Sequence, residues 1–586
     1  MKKILTYFKP YTMQSILGPL FKLLEATFEL LVPFIVALIV DKGLGTYVDG
    51  VGYPNAEKGY IIKMCLVLAA FGLIGLLFSV TAQYFSARAA TGVSAKVRSE
   101  LFKKLQSFSY KDIDTMGEAT MLTRMTSDVD KMQTGINLFL RLLLRSPFIV
   151  FGALVCACII DPASFGVFAG AIAVLAVVVY AVMFICMPLY KKTQARLDKV
   201  LLSTRENLSG ARVLRAFCKE EDERALFAER NEGLTKERKF VGGIAAITNP
   251  LTFALVNVAI ILLLYTGAMR VESGVLTQGK VIALYNLMSQ ILIELIKLAN
   301  LIVTVTKAVA SAQRIEAVLK IEPSLMLIKE EKEENDGGRY AFIDFKNVSA
   351  RYNEGGDAAL KNVTFSVKKG ETVGVIGGTG SGKTTLVNLI PHFYDVSEGT
   401  VFVNGQDVRC ANAQSFLRER IGVVPQKAKL FKGTIRENLL WGRADATDEE
   451  LMEAARIAQA AEFINEKGGL DAPVEQGGKN FSGGQKQRLT VARALVRNPE
   501  ILILDDSSSA LDYATDAELR REIRALDTTT FIVSQRASSV RDADKIIVLD
   551  EGEVVGMGTH EELMQTSSVY REIYFSQYEA DGEVGE

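Results

Sequence analysis

Long apolar runs dominate the first half of the chain, whereas shorter apolar and polar stretches alternate through the second half. A helix needs about 20 apolar residues to cross the core of a bilayer. The first half contains six runs of this kind, and the pattern predicts a membrane-spanning helix in each. They lie near residues 16–40, 62–87, 140–160, 164–188, 246–268 and 281–305.

The first of these runs also contains charged residues, namely Lys22, Glu25 and Glu29. Charges inside a membrane usually face a water-filled cavity or a partner helix, and the sequence predicts such a position for these three. The alternative is that the membrane helix has other boundaries, so that the three side chains lie at the membrane surface.

The connections between the runs differ sharply in length and charge. Long stretches at 88–139 and 189–245 follow the second and fourth runs and are rich in Arg and Lys, whereas the turns after the third and fifth are short and nearly free of them. Basic residues accumulate on the cytoplasmic side of a membrane. The pattern therefore predicts that both long connections, the N-terminus and the whole second half are cytoplasmic.

Both long connections keep a helical periodicity over much of their length. This predicts extensions of the membrane helices that turn back through a short crossing helix, with candidates at Tyr110 to Met116 and Glu206 to Phe217. The residues at these bends are predicted to have a docking role. The alternative is that they belong to charged helices that are only exposed to solvent. Residues 1–11 are too polar for a cleaved signal peptide and predict a short amphipathic helix on the inner membrane surface.

Composition and charge narrow the picture further. Hydrophobic residues make up 49% of the chain although 23% are charged, which the segregation into two halves explains. The net charge of −1 gives no indication of a nucleic-acid partner. The six cysteines are scattered without a metal-like cluster and are interpreted as reduced packing residues. A charged run that ends in glycines, 329–338, predicts a linker at 321–340 between a membrane domain (1–320) and an α/β domain (341–580).

A glycine-rich loop in the second half has the spacing of a phosphate-binding loop. It follows the apolar strand 373–376 and precedes an apolar helix, as the G-x-x-x-x-G-K-[ST] pattern requires. Backbone N–H groups of such a loop and the helix N-terminus bind phosphate oxygens, with Lys383 predicted on the β- and γ-phosphates and the Thr384 hydroxyl on Mg²⁺. The residues predicted to bind nucleotide here are Gly377, Gly378, Thr379, Gly380, Ser381, Gly382, Lys383, Thr384 and Thr385.

A second apolar strand, 501–504, ends in Asp505 and Asp506. In P-loop enzymes an acidic residue at this strand end holds Mg²⁺, and Asp505 is the candidate here. The phosphate loop and this strand together predict a nucleoside triphosphatase.

The segment Phe481-Ser482-Gly483-Gly484-Gln485 resembles the L-S-G-G-Q signature of ATP-binding cassette (ABC) proteins, and the resemblance extends over essentially the whole chain. By this resemblance Tyr352 stacks on adenine, Gln426 senses Mg²⁺ and the membrane domain, and 509–512 is the D-loop. The six runs and two long inner loops are similar to the exporter branch. The expected fold is therefore a six-span α-helical transmembrane domain with long cytoplasmic helix extensions, followed by an α/β P-loop ABC nucleotide-binding domain.

The resemblance also implies a dimer. Two cassettes of this family pack head to tail, so that the signature of one chain grips the ATP held by the phosphate loop of the other. The residues assigned to that role are Ser482, Gly483, Gly484 and Gln485. The implied cofactors are ATP and Mg²⁺, and the implied partners are a second half-transporter chain, membrane lipid and an amphipathic small molecule, with no nucleic acid.

Two positions depart from the family pattern. Asp506 stands where the family has a glutamate as general base, and its carboxylate reaches about 1.5 Å less far. Gln535, after the strand 530–534, stands where the family has a histidine on the γ-phosphate. A misplacement of about 1 Å can cost about 100-fold in rate. Asp506, Gln535 and Gln426 are the candidate catalytic residues, and the pattern predicts a degenerate site that binds Mg-ATP and hydrolyses it poorly.

In the family, chains of this kind pair with a different chain that carries the hydrolysing site, and they keep an intact signature, as this chain does. The sequence thus predicts export of an amphipathic or hydrophobic compound by alternating access across a bacterial cell membrane, as one subunit of a heterodimer. The alternatives are a homodimeric flippase or drug pump in which Asp506 is a mediocre base, and an ATP-gated channel or regulator. An importer is disfavoured because importers usually keep the membrane subunit on a separate chain.

Overall fold

The computed structural model describes residues 2–44, 57–325, 327–328, 341–352 and 356–582. These residues divide into two compact units, one with Met1–Gln106 and Glu118–Ile321, the other with Ser107–Gly117 and Glu322–Glu586. They are called here the membrane unit and the cassette unit. Most of the predicted linker, 329–340, lies outside the described residues.

Helices account for most of the first 320 residues. In chain order within the described residues they are α1 (Lys2–Thr6), α2 (Thr12–Leu38), α3 (Lys58–Gln106), α4 (Tyr110–Met116), α5 (Glu118–Thr123), α6 (Val129–Leu142), α7 (Arg145–Ile160), α8 (Ser164–Ser209), α9 (Ala211–Ala216), α10 (Glu220–Glu272) and α11 (Gln278–Lys320). A 3₁₀ turn (Lys9–Tyr11) precedes α2, and π-helical segments lie at Ile39–Leu44 and Arg124–Asp128.

Six helical stretches of the described residues are long and apolar enough to cross a membrane, which confirms the predicted number. They are Lys9–Leu44, Lys58–Gln106, Glu118–Ile160, Ser164–Ser209, Glu220–Glu272 and Gln278–Lys320. The helices continue well beyond the apolar runs. The long extensions predicted for the two connections are therefore present in α3, α8 and α10, and α11 also continues past its apolar run, which was not predicted.

One of the two predicted crossing helices has its predicted bounds, and the other does not. The first occurs at its predicted bounds as α4, and its residues belong to the cassette unit. The second is shorter than predicted: α9 begins only at Ala211, because Glu206–Ser209 still belongs to α8 and the break falls at Gly210. Glycine lowers helix propensity by about 1 kcal/mol relative to alanine, which places the break there.

A buried network of charges joins three helices of the membrane unit. The Arg145 guanidinium, on α7, donates to Glu294 Oε1 of α11 at 2.5 Å and to Glu29 Oε2 of α2 at 2.6 Å. Glu294 also accepts from Ser146 Oγ and Lys297 Nζ. Arg145 and Glu294 are buried, whereas Glu29 is half exposed.

The charges predicted inside the first run do lie within α2. Lys22 pairs with Glu25 and also donates to Ser79 of α3, while Glu29 pairs with Arg145. Lys22 and Glu29 thus contact partner helices, whereas Glu25 pairs with Lys22 of its own helix. Arg145 and Glu294 were not predicted from the sequence, although a charged residue of opposite sign within each of two apolar runs was an available signal.

Within the described residues, the cassette unit is built on three sheets. Its strands are β1 (Ile343–Ala350), β2 (Leu360–Val367), β3 (Thr372–Gly377), β4 (Glu398–Val403), β5 (Gln406–Asp407), β6 (Ile421–Val424), β7 (Gly433–Thr434), β8 (Pro473–Val474), β9 (Ile501–Asp505), β10 (Thr529–Val533), β11 (Lys545–Asp550) and β12 (Glu553–Gly558). The order β12-β11-β3-β10-β9-β6 forms the largest sheet, which is parallel except for β12. An antiparallel sheet has the order β2-β1-β4-β5, and β7 pairs with β8.

The cassette unit also contains helices between and after these strands. They are α12 (Lys383–Leu389), α13 (Ala413–Arg420), α14 (Ile435–Leu440), α15 (Asp448–Ile457), α16 (Ala461–Glu466), α17 (Gly483–Val496), α18 (Tyr513–Arg524), α19 (Ala537–Val540), α20 (His560–Thr566) and α21 (Ser568–Gly582), with a 3₁₀ turn at Gln476–Gly478. Every residue of β9 and β10 is buried, as expected for central strands covered on both faces. Capping boxes fix the starts of several helices, with pairs Thr434/Glu437, Thr447/Glu450, Ser482/Gln485 and Thr559/Glu562.

The first crossing helix packs within the cassette unit. The Tyr110 ring lies 4.6 Å from that of Phe393, centroid to centroid, and the Tyr394 hydroxyl donates to Asp114 Oδ2 at 2.8 Å. At the start of α4, Asp112 accepts hydrogen bonds from the backbone amides of Ser109 and Ser324. Residues 107–117 therefore belong physically to the α/β domain.

Candidate nucleotide site

The parallel sheet brings the predicted phosphate loop and Asp505 together. β10 pairs with both β3 and β9, so the carboxyl ends of these three strands lie side by side. The phosphate loop follows β3. Asp505 ends β9 and Asp506 comes directly after it, while Ser534 and Gln535 follow β10. Ligands of open α/β sheets bind at this edge.

A cavity of about 340 Å³ opens at this edge of the sheet. Its walls come from all three strand ends, from residues between β1 and β2, and from Gln426, which follows β6. The lining residues are Tyr352, Ala359, Thr379, Gly380, Gly382, Lys383, Thr384, Thr385, Gln426, Asp505, Asp506, Val533, Ser534 and Gln535. Six of the nine residues predicted from the phosphate loop line this cavity, together with both departures, Asp506 and Gln535, whereas Gly377, Gly378 and Ser381 are not among its lining residues.

The phosphate loop owes its shape to glycine. Gly380 and Gly382 have φ of +86° and +98°, a region that residues with a side chain rarely adopt. A Cβ at Gly382 would also lie 2.5 Å from the Ala359 carbonyl oxygen. Lys383 follows as the first residue of α12, and its ammonium donates to the carbonyl oxygens of Gly377 and Gly378 at 2.8 and 2.6 Å. Burial lowers the pKa of Lys383, whereas the negative charges of Asp506 and Asp505 act in the opposite direction and raise it.

The two aspartates at the end of β9 differ in their surroundings. Asp505 is buried and accepts a hydrogen bond from the Thr384 hydroxyl at 3.0 Å. Burial raises the pKa of Asp505, and the neighbouring charge of Asp506 raises it further. Asp506 instead accepts from the Gln426 amide Nε2 at 3.2 Å. A carboxylate and a hydroxyl side by side are oxygen ligands that suit Mg²⁺, so Thr384 and Asp505 fit the metal.

Asp506 has left-handed backbone geometry, with φ of +48°. Aspartate tolerates this region better than most residues because its short polar side chain can bond locally. Its amide donates to the Val533 carbonyl at 2.9 Å, and its own carbonyl accepts from the Ser509 hydroxyl of the D-loop at 2.9 Å. The backbone of Asp506 is therefore held from two sides.

Tyr352 lies at the edge of the cavity, where the sequence predicts adenine stacking. Its hydroxyl forms a hydrogen bond of 2.8 Å with that of Thr385, and its ring meets the Tyr394 ring edge to face at 5.1 Å. Tyr394, which connects Tyr352 to the crossing helix α4, was not predicted from the sequence. No pattern around Tyr394 distinguishes it from a packing aromatic.

The signature residues lie apart from this cavity in the described part of the chain. Ser482 caps α17, and Gly483, Gly484 and Gln485 form its first turn. Ser482 and Gln485 bond each other reciprocally, through Gln485 N to Ser482 Oγ at 3.3 Å and Ser482 N to Gln485 Oε1 at 3.1 Å. The N-terminus of such a helix suits an anion. The signature does not line the phosphate-loop cavity of its own chain.

The fold and the strand-end site define a membrane protein that carries a P-loop ATPase domain. Models of two families match the chain, ABC transporter transmembrane region over residues 15–295 and ABC transporter over residues 360–509. The ABC transporter ATP-binding protein YfiB of Bacillus subtilis is 35% identical over 597 residues and 99% of each chain. The chain therefore belongs to the ABC transporter family.

Two further similarities refine this assignment. An ATP-dependent lipid A-core flippase of Syntrophus aciditrophicus is 30% identical over 510 residues, which is 84% of this chain and 82% of the flippase. The solved structure of a bacterial Atm1-family ABC exporter with ATP bound matches with a TM-score of 0.78 at 22% identity, over 97% of this chain and 98% of that chain. The latter supports the fold: a half-transporter with a membrane domain followed by its cassette.

Proposed function

We propose that this ABC exporter is one subunit of a heterodimer whose own phosphate-loop site binds Mg-ATP but hydrolyses it slowly. The observation that carries the proposal is the presence of Asp506 and Gln535 in the same cavity as Lys383, Thr384 and Asp505. Both departures affect the groups that would activate water and contact the γ-phosphate. The groups that would bind Mg²⁺ and phosphate are of the expected types.

The roles of the site residues follow from their chemistry. Lys383 and the loop amides bind phosphate, Thr384, Asp505 and Gln426 hold Mg²⁺, and Tyr352 stacks on adenine. Mg²⁺, when bound, neutralises negative charge on the phosphates. Asp506 is short for a general base and is engaged by the Gln426 amide. Gln535 can donate a hydrogen bond, but it cannot carry the positive charge of a histidine.

The working assembly extends beyond this chain. We assign residues 1–320, apart from 107–117, to the membrane domain, and 341–580 together with 107–117 to the cassette, with the cassette and the long loops in the cytoplasm. Ser482, Gly483, Gly484 and Gln485 serve nucleotide bound to the partner chain, which supplies the hydrolysing site. Closure of the two cassettes switches the membrane cavity from inward to outward facing, and an amphipathic or hydrophobic compound is exported.

A homodimeric lipid flippase is the second candidate. It is favoured by the 30% identity to the lipid A-core flippase, a protein named for moving a lipid. In that case Asp506 would be an adequate base, and the chain alone would hydrolyse ATP and move lipid. The two candidates differ in the activity expected of the isolated chain.

The experiment that separates them is steady-state Mg-ATPase of the chain expressed alone in lipid nanodiscs. The natural chain is compared with the double variant Asp506→Glu, Gln535→His, and with the same double variant carrying Lys383→Ala as the control for a contaminating ATPase. We expect a nearly inactive natural chain and a gain of about 100-fold or more in the double variant, since positioning of the base alone accounts for about that factor. Brisk hydrolysis by the natural chain would remove the basis for a degenerate site and favour the homodimeric flippase.

A further inference from the structure

The last helix of the chain presents one side to the body of the cassette. Tyr570, Ile573, Tyr574 and Gln577 follow the spacing i, i+3, i+4, i+7, which places them on one face of α21. Tyr570 is fully buried, and Ile573 and Tyr574 pack against the core of the cassette. A polar residue, Gln577, thus occupies the fourth position of an otherwise aromatic and aliphatic face.

The Gln577 side chain bonds the backbone of the loop that carries Gln535. Its Nε2 donates to the Gln535 carbonyl at 2.8 Å, and its Oε1 accepts from the Ala537 amide at 2.8 Å. The one side-chain amide therefore bridges the backbone on both sides of Arg536. Ala537 opens α19, whose preceding residue offers no side-chain cap, so Gln577 supplies the missing acceptor.

The same loop is held on its other side by the sheet. The Ser534 amide donates to the Val375 carbonyl at 3.1 Å, and the Ser534 hydroxyl accepts from the Arg536 amide at 2.9 Å. The backbone of Gln535 lies between these contacts and those of Gln577. The Gln535 side chain itself is exposed and lines the nucleotide cavity, so the position of its amide follows the position of this short loop.

We propose that Gln577, on the C-terminal helix, is a positioning residue for Gln535. By fixing Gln535 it increases the preference of the site for a nucleoside triphosphate over a diphosphate. This inference rests on the proposed nucleotide role of the cavity. Without the Gln577 amide, the backbone at Gln535 is held only from the side of the sheet, and the contact of its side chain with the γ-phosphate weakens. A diphosphate has no γ-phosphate and is unaffected by that loss.

The test uses the full-length chain in nanodiscs and measures the affinities for Mg-AMP-PNP and Mg-ADP. Gln577→Ala is expected to weaken the triphosphate analogue about 3- to 10-fold, in line with one or two lost hydrogen bonds, and to leave Mg-ADP unchanged. Gln577→Glu keeps the acceptor but lacks the donor, and it should give the same selective loss. Ser576→Ala, on the adjacent residue, is the matched control and should bind both nucleotides as the natural chain does.

A cycle with Gln535→Ala distinguishes positioning from general destabilisation. If Gln577 acts through Gln535, adding Gln577→Ala to Gln535→Ala causes no further loss of triphosphate affinity. Equal weakening of both nucleotides, a persistent loss in the Gln535→Ala background, or unchanged binding by Gln577→Ala would overturn the inference. Lys383→Ala is measured alongside: if it leaves both affinities intact, the proposed nucleotide site itself is wrong, and this inference falls with it.

Discussion

Asp505 is the residue whose ionisation most directly controls the proposed metal site. Burial and the charge of Asp506 raise the pKa of Asp505, while the Thr384 hydroxyl opposes this only in part. The folded chain therefore holds a proton at Asp505 to a higher pH than an unfolded chain does. Mg²⁺ requires the ionised carboxylate, so proton and metal compete for the same oxygen atoms.

This competition predicts a pH dependence of Mg-nucleotide binding. As the pH falls below the raised pKa of Asp505, the affinity should drop by about tenfold per pH unit, and binding should release one proton. Calorimetry in buffers of different ionisation enthalpy measures that proton, and the chain contains only two histidines to obscure it. Asp506→Asn removes a neighbouring negative charge and should shift the dependence to lower pH. An affinity that does not change with pH would contradict the role of Asp505.

At the scale of the elements, the charge network couples α2, α7 and α11 in the membrane unit. Arg145 and Glu294 are each buried and bonded at more than one atom, so either would be left without its main partner if the other were removed. Breaking a buried ion pair on one side costs about 3–5 kcal/mol, whereas replacing both partners by apolar residues is often neutral. The remaining members, Glu29 and Lys297, are partly exposed and can reach water.

We therefore expect Arg145→Met to lower the thermal stability of the purified protein strongly, and Arg145→Met with Glu294→Met to restore most of it. Arg205→Met, at an exposed position of α8, is the control. The fraction that stays monodisperse after heating, followed by size-exclusion chromatography, gives the comparison. Equal losses in the single and double variants would mean that these helices are not held together by this pair.

Elements were predicted from the sequence with uneven success. Hydropathy predicted six membrane helices because lipid contact requires long apolar runs, and the glycine spacing of the phosphate loop predicted the strand-loop-helix around Lys383. The start of α9 was misplaced because helical periodicity continues through Glu206 up to Gly210. Gln577 was missed because its role depends on residues far away in the sequence, which no local pattern reveals. For Arg145 and Glu294 the charges within the apolar runs were a signal, but only the structure shows that the two pair with each other.

At the scale of the whole molecule, the cassette incorporates a piece of chain from between two membrane helices. Residues 107–117 are held there by the contacts of Tyr110 and Asp114 with Phe393 and Tyr394. Tyr394 in turn touches Tyr352, the predicted adenine platform. Burial and then the hydrogen bond to Asp114 raise the pKa of Tyr394, so the phenol stays a donor at neutral pH.

Tyr394→Phe removes only the hydroxyl of this contact. A hydrogen bond to a charged group contributes about 1.5–3 kcal/mol, so local opening of α4 should become at least about tenfold more frequent. Hydrogen–deuterium exchange of residues 110–117 reports this opening, with Tyr513→Phe on α18 as the matched control. Unchanged exchange in Tyr394→Phe would show that ring packing alone holds α4 in place.

The inserted piece also determines what a truncated cassette can be. A soluble fragment that begins near residue 341 would lack 107–117 and leave the faces of Phe393 and Tyr394 open to water, beside the ring of Tyr352. Such a fragment is an incomplete domain, and its self-association or nucleotide affinity would reflect the missing peptide as much as the cassette. An isolated cassette that reproduces the native domain must include residues 107–117, either fused through a flexible linker or added as a separate peptide.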